Sequence, residues 1–153
     1  MTEGSGGYFR NSIITNFRAG INLTTTGDPS NKQLDRLNAG KLDWKNNIFW
    51  DISTFTTLAE VASGTSDAAT KTALETNLAD GDNSYADPML GGIAAGALNP
   101  LPAAAGPAFS DVLAVPGAPV DGFTYESTTY KGAFGTTNWL VGWTAAYEYG
   151  ITE

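Results

Sequence analysis

The chain of 153 residues contains neither cysteine nor histidine. That absence excludes a Ser-His-Asp triad, a cysteine nucleophile, a thiolate or imidazole zinc site and haem ligation. It also excludes disulfides, which leaves the compartment open. Basic residues are scarce: eight Lys and Arg stand against sixteen Asp and Glu, a net charge of −8. Nucleic acid and anionic lipid both call for clustered cations, so neither is an expected partner. No apolar run approaches the ~18 residues of a membrane-crossing helix, and no membrane insertion is expected. The opening stretch MTEGSGGYFR has neither the charged nor the apolar region of a signal peptide. Any chemistry falls to carboxylates, Lys, Arg, Tyr, hydroxyls, backbone groups or a hard metal.

The chain does carry one phrase twice. FRNSIITNF, residues 9–17, aligns with WKNNIFWDI, residues 44–52, at a constant offset of 35. A repeat at this period points to stacked units. Alternation with β-branched and aromatic residues is a strand signal. It puts Phe9, Ile13 and Phe17 on one face, and Trp44, Ile48 and Ile52 on the same face of the second copy. Arg10, Asn16, Lys45 and Asp51 fall on the other face, together with the apolar pair Ile14 and Phe49, which needs a cover. Asn11 and Asn46 either form a ladder, one amide above the other, or are two unrelated loop residues.

The length suits one domain. Residues 1–7 read as a flexible lead-in and 8–60 as parallel coils. TGDPSN, residues 26–31, reads as a turn. NKQLDRLNAG reads as a short helical excursion stopped by Gly40. A helix is expected over 65–81, with Ser66 as N-cap, Leu74 and Leu78 on one stripe and Gly81 as the stop. Residues 86–121 hold six of the seven prolines and are expected to be an ordered, irregular wrap. Residues 122–153 are dense in aromatics and are expected to cap the stack, since terminal repeats need covers. Trp139 and Trp143, four apart like Tyr130 and Phe134, are a sugar-stacking row if exposed and the core of the cap if buried. Their size favours burial.

The order of NSIITNF, WKNNIFWDI, YADPMLGGI, LNPLPAAAGPAFS and YKGAFGTTNWLVGWTAAYEYGI resembles the C-terminal end of large secreted bacterial right-handed parallel β-helix proteins of the pectate-lyase-like fold. The likeness covers nearly the whole chain, and YKGAF followed by NWLVGWT is its most specific part. It implies a mainly β fold: short right-handed β-helix coils, one flanking α-helix and an aromatic C-terminal cap. It also implies an extracellular or cell-surface parent. It implies no catalytic set. An open first coil exposes strand edges, so self-association through that end is an expected partnership, as is glycan binding.

Two places are candidates for chemistry. DGDNSYAD offers Asp80, Asp82, Ser84 and Asp87 as oxygen ligands for a hard cation such as Ca²⁺, without the spacing of an EF-hand. The bland reading is a solvated acidic turn after a helix. Asp43, Asp51 and Lys45, in or beside the second strand, are the candidate catalytic groups for carboxylate-based hydrolysis. The bland reading there is a surface salt link. Two functions remain open: a non-catalytic structural and capping module that binds glycans, or a small Ca²⁺-dependent hydrolase or lyase acting on a polysaccharide, ester or lactone.

Overall fold

The computed structural model describes residues 5–24, 32–94, 96–114 and 122–152. The TGDPSN turn, Pro116 and Pro119 of the wrap, and most of the lead-in lie outside the described residues. The element order is β1 (Gly7–Arg10), β2 (Ile13–Phe17), α1 (Gln33–Asn38), β3 (Leu42–Lys45), β4 (Ile48–Ile52), a 3-10 helix (Ala59–Gly64), α2 (Ala68–Asp80), β5 (Ser84–Tyr85), β6 (Leu90–Ala94), β7 (Ala97–Pro102), a second 3-10 helix (Pro107–Phe109) and α3 (Ala145–Glu148).

The doubled phrase forms a parallel ladder in the register of its offset. β1 pairs with β3, setting Phe9 against Trp44 and Arg10 against Lys45. β2 pairs with β4, setting Ile13 against Ile48 and Ile14 against Phe49. The Phe9 and Trp44 rings stack with centroids 5.2 Å apart and planes 9° off parallel. A third rung follows in β5, where Ser84 and Tyr85 pair with Ile48 and Phe49. In each rung the residue just ahead of the Ser12, Asn47 or Asn83 position takes a left-handed backbone: Asn11 (φ 49), Asn46 (φ 55) and Asp82 (φ 54). Asn and Asp tolerate this conformation better than other side chains, which explains their recurrence.

That corner also reverses the alternation between the two strands of a rung. Phe49 therefore joins Trp44 on the core side, and a second left-handed residue, Asp51 (φ 49), brings Ile52 to it, with Leu42, Val61, Leu74 and Leu78, all at most 4% exposed. Ile48, although buried, does not belong to that cluster, contrary to the simple period-two count. The amide ladder is also displaced by one residue. Asn11 and Asn46 do not bond each other but bind the backbone of 111–113. The Asn11 amide donates to Leu113 O and accepts from Leu113 N, both at 2.8 Å. Asn46 Nδ2 donates to Asp111 O at 2.8 Å. The true ladder is Asn47 on Asn83, Nδ2 to Oδ1 at 2.8 Å.

The expectation of a mainly β chain of right-handed β-helix coils is overturned. Among the described residues the parallel ladder ends after three short rungs, and no sheet closes or continues as a solenoid. The other sheet among the described residues is the antiparallel hairpin β6–β7, and helix and strand contribute comparable shares. Two sequence features cause this. Residues 59–80 leave the ladder as a 3-10 helix followed by α2. The third rung stops at two residues, close to Pro88, which has no N–H to give a ladder. The single flanking helix is in fact two packed helices, α1 and α2, with the 3-10 helix Ala59–Gly64 against α2. The N-cap of α2 is Asp67 rather than Ser66: its carboxylate accepts from Thr70 N at 2.8 Å and Thr70 Oγ1 at 2.7 Å. Those bonds hold the Asp67 pKa below its ordinary value.

The segment after the hairpin lies along the corners. Lys131 N donates to Ala108 O at 2.7 Å, and Gly132 N to Asn11 O at 2.6 Å. Lys131 is buried, 3% exposed as a residue. Burial pushes its pKa down, against the opposing pull of Asp111 and then Asp82. The folded chain thus binds this proton less readily than the unfolded chain. Its contribution to stability rises as pH climbs from the lowered folded pKa to the ordinary 10.5, and below that window the full penalty applies. Both carboxylates are exposed and need no cation to remain solvated. Lys131→Met is therefore expected to raise the melting temperature at pH 7 and to flatten the alkaline rise. A lower melting temperature at pH 7 would show that the ammonium is net stabilising.

Candidate functional site

A hollow of about 740 Å³ lies between β1–β3 and the C-terminal ends of α1 and α2; Tyr8, Arg10, Asn38, Asp43, Lys45 and Asp80 are among its walls. Its construction follows from the ladder. Register places Arg10 beside Lys45, and Asp43, two residues before Lys45, projects from the same face. The opposite wall is the last turn of α2, where Asn77 clamps the strand from both sides. Asn77 Nδ2 donates to Asp43 Oδ1 at 3.2 Å, and Trp44 N donates to Asn77 Oδ1 at 3.1 Å.

Asp43 forms the floor and is 6% exposed. Its Oδ2 lies 3.5 Å from Lys45 Nζ and 3.8 Å from Arg10 Nη2. The Arg10 guanidinium sits 4.9 Å above the Tyr8 ring, and that ring is 62% exposed at the mouth. Arg10 Nε is buried with no acceptor among the described residues. Two cations and two carboxylates, Asp43 and Asp80, balance the charge of the hollow.

The structure thus brings Asp43, Lys45 and Asp80 together and places Asp51 elsewhere. Asp51 is exposed at a left-handed position (φ 49). It lines a separate hollow of about 180 Å³ with Trp50, Asp87, Leu90 and Ile93. The acidic run after α2 is divided in the same way. Asp80 faces the large hollow and Asp82 forms the third corner. Ser84 pairs in β5, and the Asp87 carboxylate accepts from Met89 N at 2.7 Å. Among the described residues no three acidic groups converge on one point as cation ligands. Asn38 and Asn77 escaped the sequence reading because only packing of the helix ends on the strands brings them to Asp43, whereas Tyr8 stands opposite Asp43 in the ladder, at the 35-residue offset the sequence already shows. The third rung did leave a signal: DNSY, residues 82–85, echoes NNIF, residues 46–49.

The C-terminal aromatics form a pillar on the surface and not a core. Phe134 stacks on Trp139 with centroids 4.9 Å apart and planes 6° off parallel, and Trp139 on Trp143 at 6.1 Å and 28°. Trp139 Nε1 donates to Ala133 O at 3.0 Å, and Trp143 Nε1 to Trp139 O. Trp143 is 71% exposed. The segment is a series of turns, with Gly142 at φ 92, and α3 spans only four residues and buries none of them. No continuous element carries the rings into the interior. Among the helices of the described residues none is long and apolar enough to cross a membrane. No protein family, curated protein or solved structure matches the chain, so the resemblance to β-helix proteins gains no support from a relative.

Proposed function

We propose that this chain is a non-catalytic saccharide-binding module. The observation that carries the reading is the exposed Trp143 indole at the end of the Phe134–Trp139–Trp143 pillar. Both indole N–H groups in the pillar are satisfied by backbone carbonyls. What Trp143 offers a ligand is therefore an apolar face whose tilt is already set, and the C–H face of a pyranose ring is its complement. The net charge of −8 disfavours polyanions and leaves neutral sugars as the class with no electrostatic penalty. The hydrolase or lyase reading has less to rest on, because Asp43 and Asp51 line different hollows.

The test is titration of the full chain with neutral oligosaccharides, followed by calorimetry and indole fluorescence. Trp143→Ala is expected to weaken binding about tenfold, the scale of one lost ring-stacking contact plus its apolar area. Its exposure means that stability should hardly change. Unchanged affinity in Trp143→Ala would remove the platform from the account.

A further inference from the structure

The large hollow holds unfilled hydrogen-bonding capacity of both signs at one place. Asp43 Oδ1 is occupied by Asn77. Asp43 Oδ2 has no such partner among the described residues: its two cations stand off at 3.5 and 3.8 Å, beyond the ~2.7–3.2 Å of a good hydrogen bond. Arg10 Nε–H is closed to solvent and so to a ligand, but the side chain is 31% exposed and lines the hollow, so its Nη groups are the donors within reach. A nine-tenths buried carboxylate whose free oxygen has only distant cations costs desolvation that the protein itself does not fully recover. A group that both donates and accepts fills this gap, and a hydroxyl does both.

We propose that the hollow is a binding site for a vicinal diol of an uncharged sugar. One hydroxyl donates to Asp43 Oδ2 and accepts from Lys45 Nζ. Its neighbour accepts from an Arg10 Nη group. Charge selects against ionised ligands. Arg10 and Lys45 are matched by Asp43 and Asp80, and the carbonyl ends of α1 and α2 add negative potential at the same wall. A carboxylate would be repelled by Asp43, and a divalent cation would meet the two cations already facing that oxygen. Tyr8 carries Arg10 on one face and is otherwise exposed at the entrance, where it can receive the apolar side of the same sugar ring. The proposal shares the saccharide class with the reading above but stands on a different site.

The experiment titrates the full chain with neutral gluco-, galacto- and manno-oligosaccharides and with oligouronates, by calorimetry and amide chemical shifts. It compares the parent with Lys45→Met and Arg10→Met, whose folding is checked by circular dichroism. Lys45 is 45% exposed along its side chain, so the Met variant keeps the stem and loses only the ammonium. The expected result is a neutral ligand that shifts the amides of Asp43, Lys45 and Asn77, weakened about ten- to hundredfold in either variant, the range for a lost hydrogen bond to a charged group. Oligouronates should bind more weakly than their neutral counterparts. Unchanged affinity in both variants, or preference for the uronates, overturns the assignment. Binding lost in Trp143→Ala but intact in both cleft variants overturns the cleft alone. Binding lost in the cleft variants but intact in Trp143→Ala overturns the platform alone. A parent chain that binds none of the panel at millimolar concentration overturns both.

Discussion

Asn47→Ala is expected to lower the unfolding free energy by about 3–5 kcal/mol. Asn47 is 0% exposed, and its amide joins all three rungs. Its Nδ2 donates to Phe9 O in the first rung and to Asn83 Oδ1 in the third, both at 2.8 Å. Its Oδ1 accepts from Ser12 N at 2.9 Å. Truncation leaves a backbone carbonyl and a backbone N–H without their partner, and an unmet buried polar group costs about 1–3 kcal/mol. Asn83 Oδ1 keeps one donor, the Asn47 backbone N–H at 3.0 Å, which limits the loss at that end. Urea denaturation measures the effect. A loss under about 1 kcal/mol would mean that water replaces the amide at no cost, and that the rungs are held by their apolar residues alone.

Gly81→Ala follows, with an expected loss of about 3 kcal/mol, the upper range for overpacking. The backbone there is ordinary (φ −88), so conformation is not the obstacle. Space is: an added Cβ would lie 2.0 Å from Trp44 O and 2.9 Å from Asn77 O. The end of α2 would have to withdraw from β3, straining the Asn46 N to Gly81 O bond of 2.7 Å. Gly40→Ala is the control. That site has a positive φ of 62 and nothing within 4 Å of the added carbon, so it should cost only about 1 kcal/mol of backbone strain. If the two variants melt together, the close approach of α2 to β3 is not what Gly81 provides. The same displacement would carry Asn77 and Asp80 away from Asp43, so Gly81→Ala should also lose whatever the hollow binds.

The acid–base candidates show how far local pattern reaches. Asp43 and Lys45 share a strand face, and that follows from a separation of two residues. Asp51 does not join them, because the left-handed residue Asn46 separates β3 from β4 and redirects the chain. Period-two counting assumes a continuous strand, and one corner invalidates it. The acidic run 80–87 reads as a single cluster in the sequence. In the fold it is divided among a helix end, a corner and a strand, so its members face different hollows.

By itself the sequence determined the register of the ladder, because the 35-residue offset matches side chains of similar size and shape and only one alignment stacks Phe9 on Trp44. It also determined that α2 forms, through the stripe of Leu74 and Leu78 and the stop at Gly81, though not its N-cap, and it excluded every chemistry that needs thiol or imidazole. Tertiary structure decided how many rungs there are, which side of each strand is core, and that the C-terminal rings face solvent. Those outcomes depend on contacts between segments far apart in the chain. Asn11 holds Leu113 across 102 residues, and Asn77 meets Asp43 across 34. No local period encodes such contacts.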